Sequence, residues 1–113
     1  MAQLEKYKKA AREIVEEIYR MIPAEDDVET QMVVDEPGGH FILFSVGWYD
    51  RHREYNAFLH LDVKPDGTVW IQHDGTDRKV AYWLMEKGVA KQDIVLGFRQ
   101  PEVREEWREM AMA

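Results

Sequence analysis

The feature that most constrains this fold is a hairpin in the middle of the chain, "HLDVKPDGTVWIQHD", which runs from His60 to Asp74. Within its turn, Pro65 and Asp66 suit a type I turn, and Gly67 suits the left-handed position that completes a three-residue loop. A loop of this kind fixes the register of the two strands that it joins. The sequence therefore predicts an antiparallel pair whose two faces can be assigned residue by residue.

This register predicts one apolar face and one polar, aromatic face. The apolar face, expected to point to the core, pairs Val63 with Val69, Leu61 with Ile71, and Leu59 with His73. The opposite face pairs Asp62 with Trp70, His60 with Gln72, and Phe58 with Asp74. Side chains that could carry out chemistry are thus expected on the face away from the core.

The remaining sequence predicts a single two-layer α+β domain that spans residues 1–113. Apolar residues recur at helical spacing over residues 4–22, and Pro23 ends that helix. Four strands follow, at residues 28–35, 40–48, 55–63 and 68–74, and tight turns between them favour an antiparallel meander. Two C-terminal helices complete the prediction: one with Thr76 as its N-cap, and one that begins at Pro101.

Composition narrows the classes of function. The 113 residues include no cysteine, which excludes disulfides, thiolate zinc sites and thiol catalysis. No signal-peptide pattern or apolar run of membrane-spanning length is present, so we expect a cytoplasmic protein. The net charge of −7 disfavours direct DNA binding, because affinity for phosphate depends largely on cations.

The polar face of the hairpin is the first candidate site. Histidine beside carboxylates can bind a metal ion or transfer protons, so His60, Asp62 and Asp74 make a small metal-dependent enzyme one hypothesis. The spacing matches no known metal signature, and such residues also occur on solvated sheet faces. We predict no catalytic, cofactor-binding or metal-binding residue.

With two aromatic residues among hydrogen-bonding groups, the face is a candidate partner surface made of Phe58, His60, Asp62, Trp70, Gln72 and Asp74. A covering helix is the alternative.

A weaker candidate lies in "SVGWYDRHRE". Trp48 with Arg51 and Arg53 could contact a phosphate or an acidic protein surface. These cations also leave open direct binding of a nucleic acid. The simpler interpretation is a solvated turn with Trp48 tucked beneath it.

Several segments together resemble the XisI-like family, the fdxN element excision controlling factors of cyanobacteria. They are "VETQMVVD", "SVGW", "HLDVKPDGTVWIQHDGT", "KQDIVLGF" and "PEVR", and they occur in order along nearly the whole chain. The positions that match the family pattern are Trp48, Arg53, His60, Asp62, Trp70, Gln72, Asp74, Gly75, Gly97 and Phe98.

The resemblance implies a non-enzymatic accessory role in programmed excision of a DNA element in heterocysts. Its implied partners are a site-specific recombinase and an XisH-like, nuclease-like factor. An acidic protein in this role is expected to act through protein contacts rather than by binding DNA itself. The alternative within the same process is a recombination directionality factor that binds DNA directly through Arg51, Arg53 and neighbouring cations. We also expect it to form a homodimer through exposed sheet surface.

Overall fold

The structure is a computed structural model and describes residues 2–104. Its elements in chain order are α1 (Ala2–Met21), β1 (Val28–Asp35), β2 (His40–Tyr49), β3 (His52–Val63), β4 (Val69–Asp74), α2 (Val80–Glu86) and β5 (Ile94–Leu96). A helical turn at residues 101–104 ends the described part, as predicted from Pro101. The remainder of that predicted helix lies outside the described residues.

Helix α1 forms because its apolar residues fall on one side at helical spacing, which makes it stable only when that side is covered. The side chains of Tyr7, Ala11, Ile14 and Ile18 are all buried. They lie on the sheet, since α1 contacts β1, β2 and β3. The predicted helix is therefore confirmed, although Tyr19, which was counted on its apolar side, is exposed.

The sheet has the order β1-β2-β3-β4-β5, in which the first four strands form the predicted antiparallel meander. The predicted α+β class is confirmed, but the sheet has one more strand than expected. Strand β5 pairs parallel with β4, and Ile94, Val95 and Leu96 are buried. A three-residue strand is too short for an alternating pattern to reveal it.

The hairpin turn is as predicted. The Lys64 amide donates to the Thr68 carbonyl oxygen at 2.9 Å, and the Gly67 amide donates to the Lys64 carbonyl oxygen at 3.0 Å. Gly67 has a φ of 89°, in the left-handed region that the loop requires. The register next to this turn is therefore the predicted one, with Val63 opposite Val69 and Leu61 opposite Ile71.

Farther from the turn the predicted register is wrong. A bulge shifts the pairing after Leu61, so that His60 lies opposite His73, and Leu59 lies opposite Asp74. Gln72 is the extra residue on β4. A bulge adds one residue to one strand, so every pair beyond it moves by one position. His73, which was predicted to face the core, is exposed.

Helix α2 begins later than predicted, at Val80, and Thr76 is not its N-cap. Lys79 is the N-cap residue, and its side chain makes no capping hydrogen bond. Asp74, at the end of β4, supplies an acceptor instead: its Oδ2 accepts a hydrogen bond from the Val80 amide at 2.9 Å. Its Oδ1 accepts from the Thr76 amide at 3.0 Å and from the Thr76 hydroxyl at 2.5 Å. Asp77 and Lys79 have positive φ angles, which keeps residues 77–79 out of the helix.

The core lies between α1, α2 and one face of the sheet. Its largest fully buried side chains include Phe41, Leu43, Leu59, Leu61 and Ile71 from the strands. No helix among residues 2–104 is long and apolar enough to cross a membrane.

Candidate functional site

The two faces of the sheet differ in what covers them. Phe41, Leu43 and Leu61 point to α1 and are fully buried, and we call their side of the sheet the core face. Residues between them in sequence point the other way, because side chains alternate along a strand. We call this second side the outer face. Its side chains on β1, β2 and β3 include Val33, His40, Ile42, Phe44, Val46, Trp48, Arg53, Tyr55, His60 and Asp62.

One end of the outer face holds what we call the His–Asp cluster, made of His40, His60 and Asp62. His40 Nδ1 lies 2.7 Å from Asp62 Oδ1, and His60 Nε2 lies 2.8 Å from the same oxygen. His60 and Asp62 are two residues apart on β3, which puts both on one face. His40 is opposite Asp62 on β2.

Asp62 is the buried member of the cluster, with 7% of its surface exposed. Its second oxygen, Oδ2, accepts a hydrogen bond from Gln72 Nε2 at 3.0 Å. Burial alone would raise the pKa of the Asp62 carboxyl, but hydrogen bonds from His40, Gln72 and His60 outweigh it and hold that pKa below its usual range. The carboxylate is thus kept ionised and fixed in orientation.

Trp70 lies beside this cluster and is partly covered by the chain itself. The Arg104 guanidinium lies 5.1 Å from the centroid of its ring, and the Lys64 ammonium lies 5.2 Å from it. Gly97 packs so closely that a Cβ there would lie 3.1 Å from Trp70 and 2.6 Å from Gln72 Oε1. This close approach explains the presence of glycine at position 97.

The other end of the outer face holds what we call the aromatic patch, made of Phe44, Trp48, Arg53 and Tyr55. The Arg53 guanidinium lies 5.5 Å from the centroid of Trp48 and 5.7 Å from that of Tyr55. Phe44 and Tyr55 have ring centroids 6.1 Å apart. Trp48 is 50% exposed and Tyr55 is 66% exposed. The patch therefore presents two large aromatic side chains to solvent, with a cation between them.

The predicted site residues separate into two groups. His60, Asp62, Trp70 and Gln72 do lie together on the outer face. Phe58 and Asp74 do not. Phe58 is an unpaired residue at a second bulge, between the pairs Leu43–Leu59 and Phe44–Ala57, and it packs against the core. Asp74 turns its carboxylate to the start of α2.

The weaker candidate is also divided. Arg51 lies in the two-residue turn between β2 and β3, while Trp48 and Arg53 are opposite each other on the strands. Trp48 is not tucked beneath the turn, contrary to the simpler interpretation. The backbone carbonyl oxygen of the preceding residue, Gly47, accepts a hydrogen bond from the Arg53 guanidinium at 3.3 Å, which helps to hold the guanidinium in place.

Sequence reasoning missed His40 and Tyr55. His40 lies on β2, outside the predicted hairpin of β3 and β4, and Tyr55 lies on β3 beyond a bulge. The pairing of β2 with β3 brings His40 to Asp62, and this pairing also contains a bulge that the sequence does not signal. Without that bulge, a register counted from the turn at residues 50–51 would pair His40 with Leu61 on the core face. Alternation along β3 would likewise put Tyr55 on the core face. The sequence alone therefore gives no signal for either residue.

Comparison with known proteins identifies the relatives of this chain. Residues 1–112 match the family described as XisI protein. A crystal structure of an XisI-like protein from Anabaena variabilis has a TM-score of 0.86 at 34% identity and covers 91% of this chain and 94% of its own. The fdxN element excision controlling factor XisI from Anabaena variabilis has a TM-score of 0.82 at 26% identity, with 92% and 94% covered. No curated protein matches. From these matches and the shared fold, the chain belongs to the XisI family.

Proposed function

We propose that this protein is a non-enzymatic accessory factor in the excision of a DNA element, and that it acts by binding a companion protein through its outer face. The implied companion is an XisH-like factor or the site-specific recombinase. A family member of known structure is named an fdxN element excision controlling factor, which supports a role in excision. The exposed aromatic patch is the observation that supports the mode of action.

The composition of the aromatic patch is typical of an interface. Tryptophan, tyrosine and arginine are enriched at the positions that contribute most to protein–protein binding. Trp48, Arg53 and Tyr55 are those three residue types, and their mutual contacts hold them in place before any partner binds. Preorganised side chains lose less conformational entropy on binding.

The neighbouring apolar side chains extend this surface. Val33 is 44% exposed, and Ile42 and Val46 are half-buried on the same face, on either side of Phe44 along β2. Burial of such side chains by a partner removes apolar area from water, at about 25 cal/mol per Å². Apolar side chains that adjoin exposed aromatic residues and an arginine favour a protein as the ligand.

Electrostatics also favours a protein. The chain has 22 acidic residues against 15 Lys and Arg. Such a balance repels a DNA duplex over most of the surface, so contact with the excised element is expected to pass through the partner. The same face is available to a second copy of the chain, and a homodimer would use the apolar strip along β1 and β2.

Co-expression with the XisH-like protein tests the proposal. We expect the pair to co-purify at micromolar concentration and the complex to be lost in a Trp48→Ser, Tyr55→Ser double variant. The matched control is Tyr19→Ser, Tyr82→Ser, which removes two aromatic side chains of 41% and 46% exposure from the helices instead.

Three results would overturn the proposal. One is the absence of any complex for the wild-type pair, and another is equal loss of binding in both double variants. The third is salt-sensitive binding of a DNA duplex by the protein alone, which would instead support a directionality factor. Sedimentation velocity of the untagged chain separates self-association from binding of the companion.

A further inference from the structure

We propose that the His–Asp cluster is a binding site for a divalent transition-metal cation of borderline softness, with Zn²⁺ as its representative. This inference is independent of the proposed function. His40, His60 and Asp62 each offer one ligand atom, and the three atoms all lie within 4.8 Å of one another. The residue types also fit, since two imidazoles and one carboxylate form an accepted ligand set for zinc.

The hydrogen bonds of the cluster resemble those of a metal site with protons in place of the cation. Both imidazoles approach the same oxygen, Asp62 Oδ1, at 2.7 Å and 2.8 Å. A carboxylate only accepts hydrogen bonds, so each ring directs an N–H at that oxygen. A cation near the same point replaces the two protons, and each imidazole then carries its proton on its other nitrogen.

The required movement is small. Ligand atoms bound to zinc at about 2.0–2.1 Å in tetrahedral geometry lie roughly 3.3 Å apart. This is slightly farther than the present nitrogen to oxygen distances and less than the 4.8 Å within which all three ligand atoms lie. His40 has a side chain that is 50% exposed and can rotate outward by this amount. His60 and Asp62 are fixed to one strand in the interior of the sheet, where β3 pairs with both β2 and β4.

The surroundings orient the ligands. Gln72 donates a hydrogen bond to the carboxylate oxygen that the histidines do not use, which leaves Oδ1 directed at them. Such hydrogen bonds to ligands raise metal affinity by fixing the ligand orientation. The exposure of His40 leaves one side of the cluster open, so water can complete the coordination of a cation held by three protein ligands.

The ligand set also predicts selectivity. Imidazole nitrogen suits zinc, copper and nickel, whereas magnesium prefers oxygen ligands and retains its waters. One carboxylate with two histidines should therefore bind Zn²⁺ or Co²⁺ and leave Mg²⁺ in solution. Asp74, which sequence reasoning grouped with His60 and Asp62, has both oxygens engaged by Thr76 and Val80 and is not a ligand.

Isothermal titration of the untagged, chelator-treated protein with zinc chloride tests the site. We expect about one equivalent per chain, and His40→Gln and His60→Gln should each weaken binding by at least about tenfold. The chain has four histidines, so His52→Gln and His73→Gln, both at exposed positions, are the matched controls and should bind as the wild type does. Magnesium chloride should give no heat of binding.

Cobalt supplies a readout that is separate from affinity. Co²⁺ bound by two imidazoles and a carboxylate in four-coordinate geometry should give visible absorption, which His40→Gln should abolish while its far-UV circular dichroism stays unchanged. His40 is the variant of choice because its exposed side chain can change without disturbing the core. The proposal is wrong if zinc binds at well under one equivalent, or if the control histidine variants weaken binding as much as the cluster variants do.

Discussion

The two faces of this sheet are made by the same strands and have opposite chemistry. On β3, Leu59 and Leu61 are fully buried on the core face, while Tyr55 on the outer face is 66% exposed. Burial of apolar area drives folding, so the core face determines stability. The outer face can vary in sequence at little cost to folding, and its aromatic and ionisable side chains are therefore available for recognition. The predictions below test whether stability and recognition are separated in this way.

The largest loss of stability is expected for a substitution on the core face. Leu61→Ala removes a fully buried side chain and should lower the free energy of unfolding by about 2–5 kcal/mol, measured by urea denaturation. Tyr55→Ala is the comparison on the outer face of the same strand. It should cost less than about 1 kcal/mol, because that side chain is mostly exposed and contributes little buried area. Similar losses for both variants would contradict the separation of the faces.

A smaller loss of stability is expected at the junction of β4 and α2, on the core side of the sheet. Asp74→Ala removes the carboxylate that accepts hydrogen bonds from Thr76 and Val80, and should cost about 1–2 kcal/mol, measured by thermal and urea unfolding. Asp66→Ala is the matched control, because Asp66 accepts hydrogen bonds only within the exposed turn, from Thr68. If the control costs as much as Asp74→Ala, Asp74 does not anchor the helix.

Removal of the Tyr7 hydroxyl, on the helix side of the core, should lower the free energy of unfolding by about 1 kcal/mol. Its hydroxyl donates to Asp93 Oδ2 at 2.6 Å and accepts from the Ala90 amide at 3.2 Å, so Tyr7→Phe removes the tie between α1 and the segment before β5. Urea denaturation at neutral pH measures the loss.

The pH dependence of the stability difference between the wild type and Tyr7→Phe provides a second check. Burial, with the hydrogen bond to Asp93, raises the pKa of Tyr7 above that of the unfolded chain. The native state therefore holds this proton more tightly, and the stabilisation is complete below the ordinary tyrosine pKa and is lost as pH rises through the native value. The stability gap between wild type and Tyr7→Phe should narrow above that range. A gap that stays constant to high pH would show that the hydroxyl is not held as described.

The smallest effect is expected at the surface. Lys87 Nζ lies 3.0 Å from Glu17 Oε2 and 3.4 Å from Glu13 Oε1, joining α1 to the end of α2. These ion pairs raise the pKa of Lys87, with the Glu17 hydrogen bond as the main cause. Lys87→Met should cost no more than about 1 kcal/mol, and the cost should shrink at high salt. A loss that is large and insensitive to salt would show that Lys87 stabilises the fold by packing rather than through its ion pairs.

The parts of the fold that sequence predicts are those that depend on local patterns. Helix α1 follows from the spacing of Tyr7, Ala11, Ile14 and Ile18, and the hairpin follows from the chemistry of its turn. The bulge after Leu61 does not follow, because only His73 and Asp74 lie beyond it on β4, and no apolar residue there reveals the change of face. Strand β5 was missed because a parallel partner is brought in by a crossover, which has no local signal.

The candidate site shows the same limit. His60 and Asp62 were grouped correctly because they are two residues apart on one strand. His40, which completes the cluster, is 22 residues from Asp62, and only the pairing of β2 with β3 brings the two together. Asp74 was grouped with them because the predicted register ignored the bulge, whereas its place at the end of β4 directs it to the amides that begin α2.

Hydroxyl-radical footprinting of exposed aromatic side chains, with and without the XisH-like companion, tests the central claim most directly. Trp48 and Tyr55 report on the outer face, and Tyr19 and Tyr82, exposed by 41% and 46%, report on the helices. We predict that the companion lowers the oxidation rates of Trp48 and Tyr55 and leaves those of Tyr19 and Tyr82 unchanged. Protection of the helix tyrosines with continued oxidation of Trp48 and Tyr55 would show that recognition does not use the outer face.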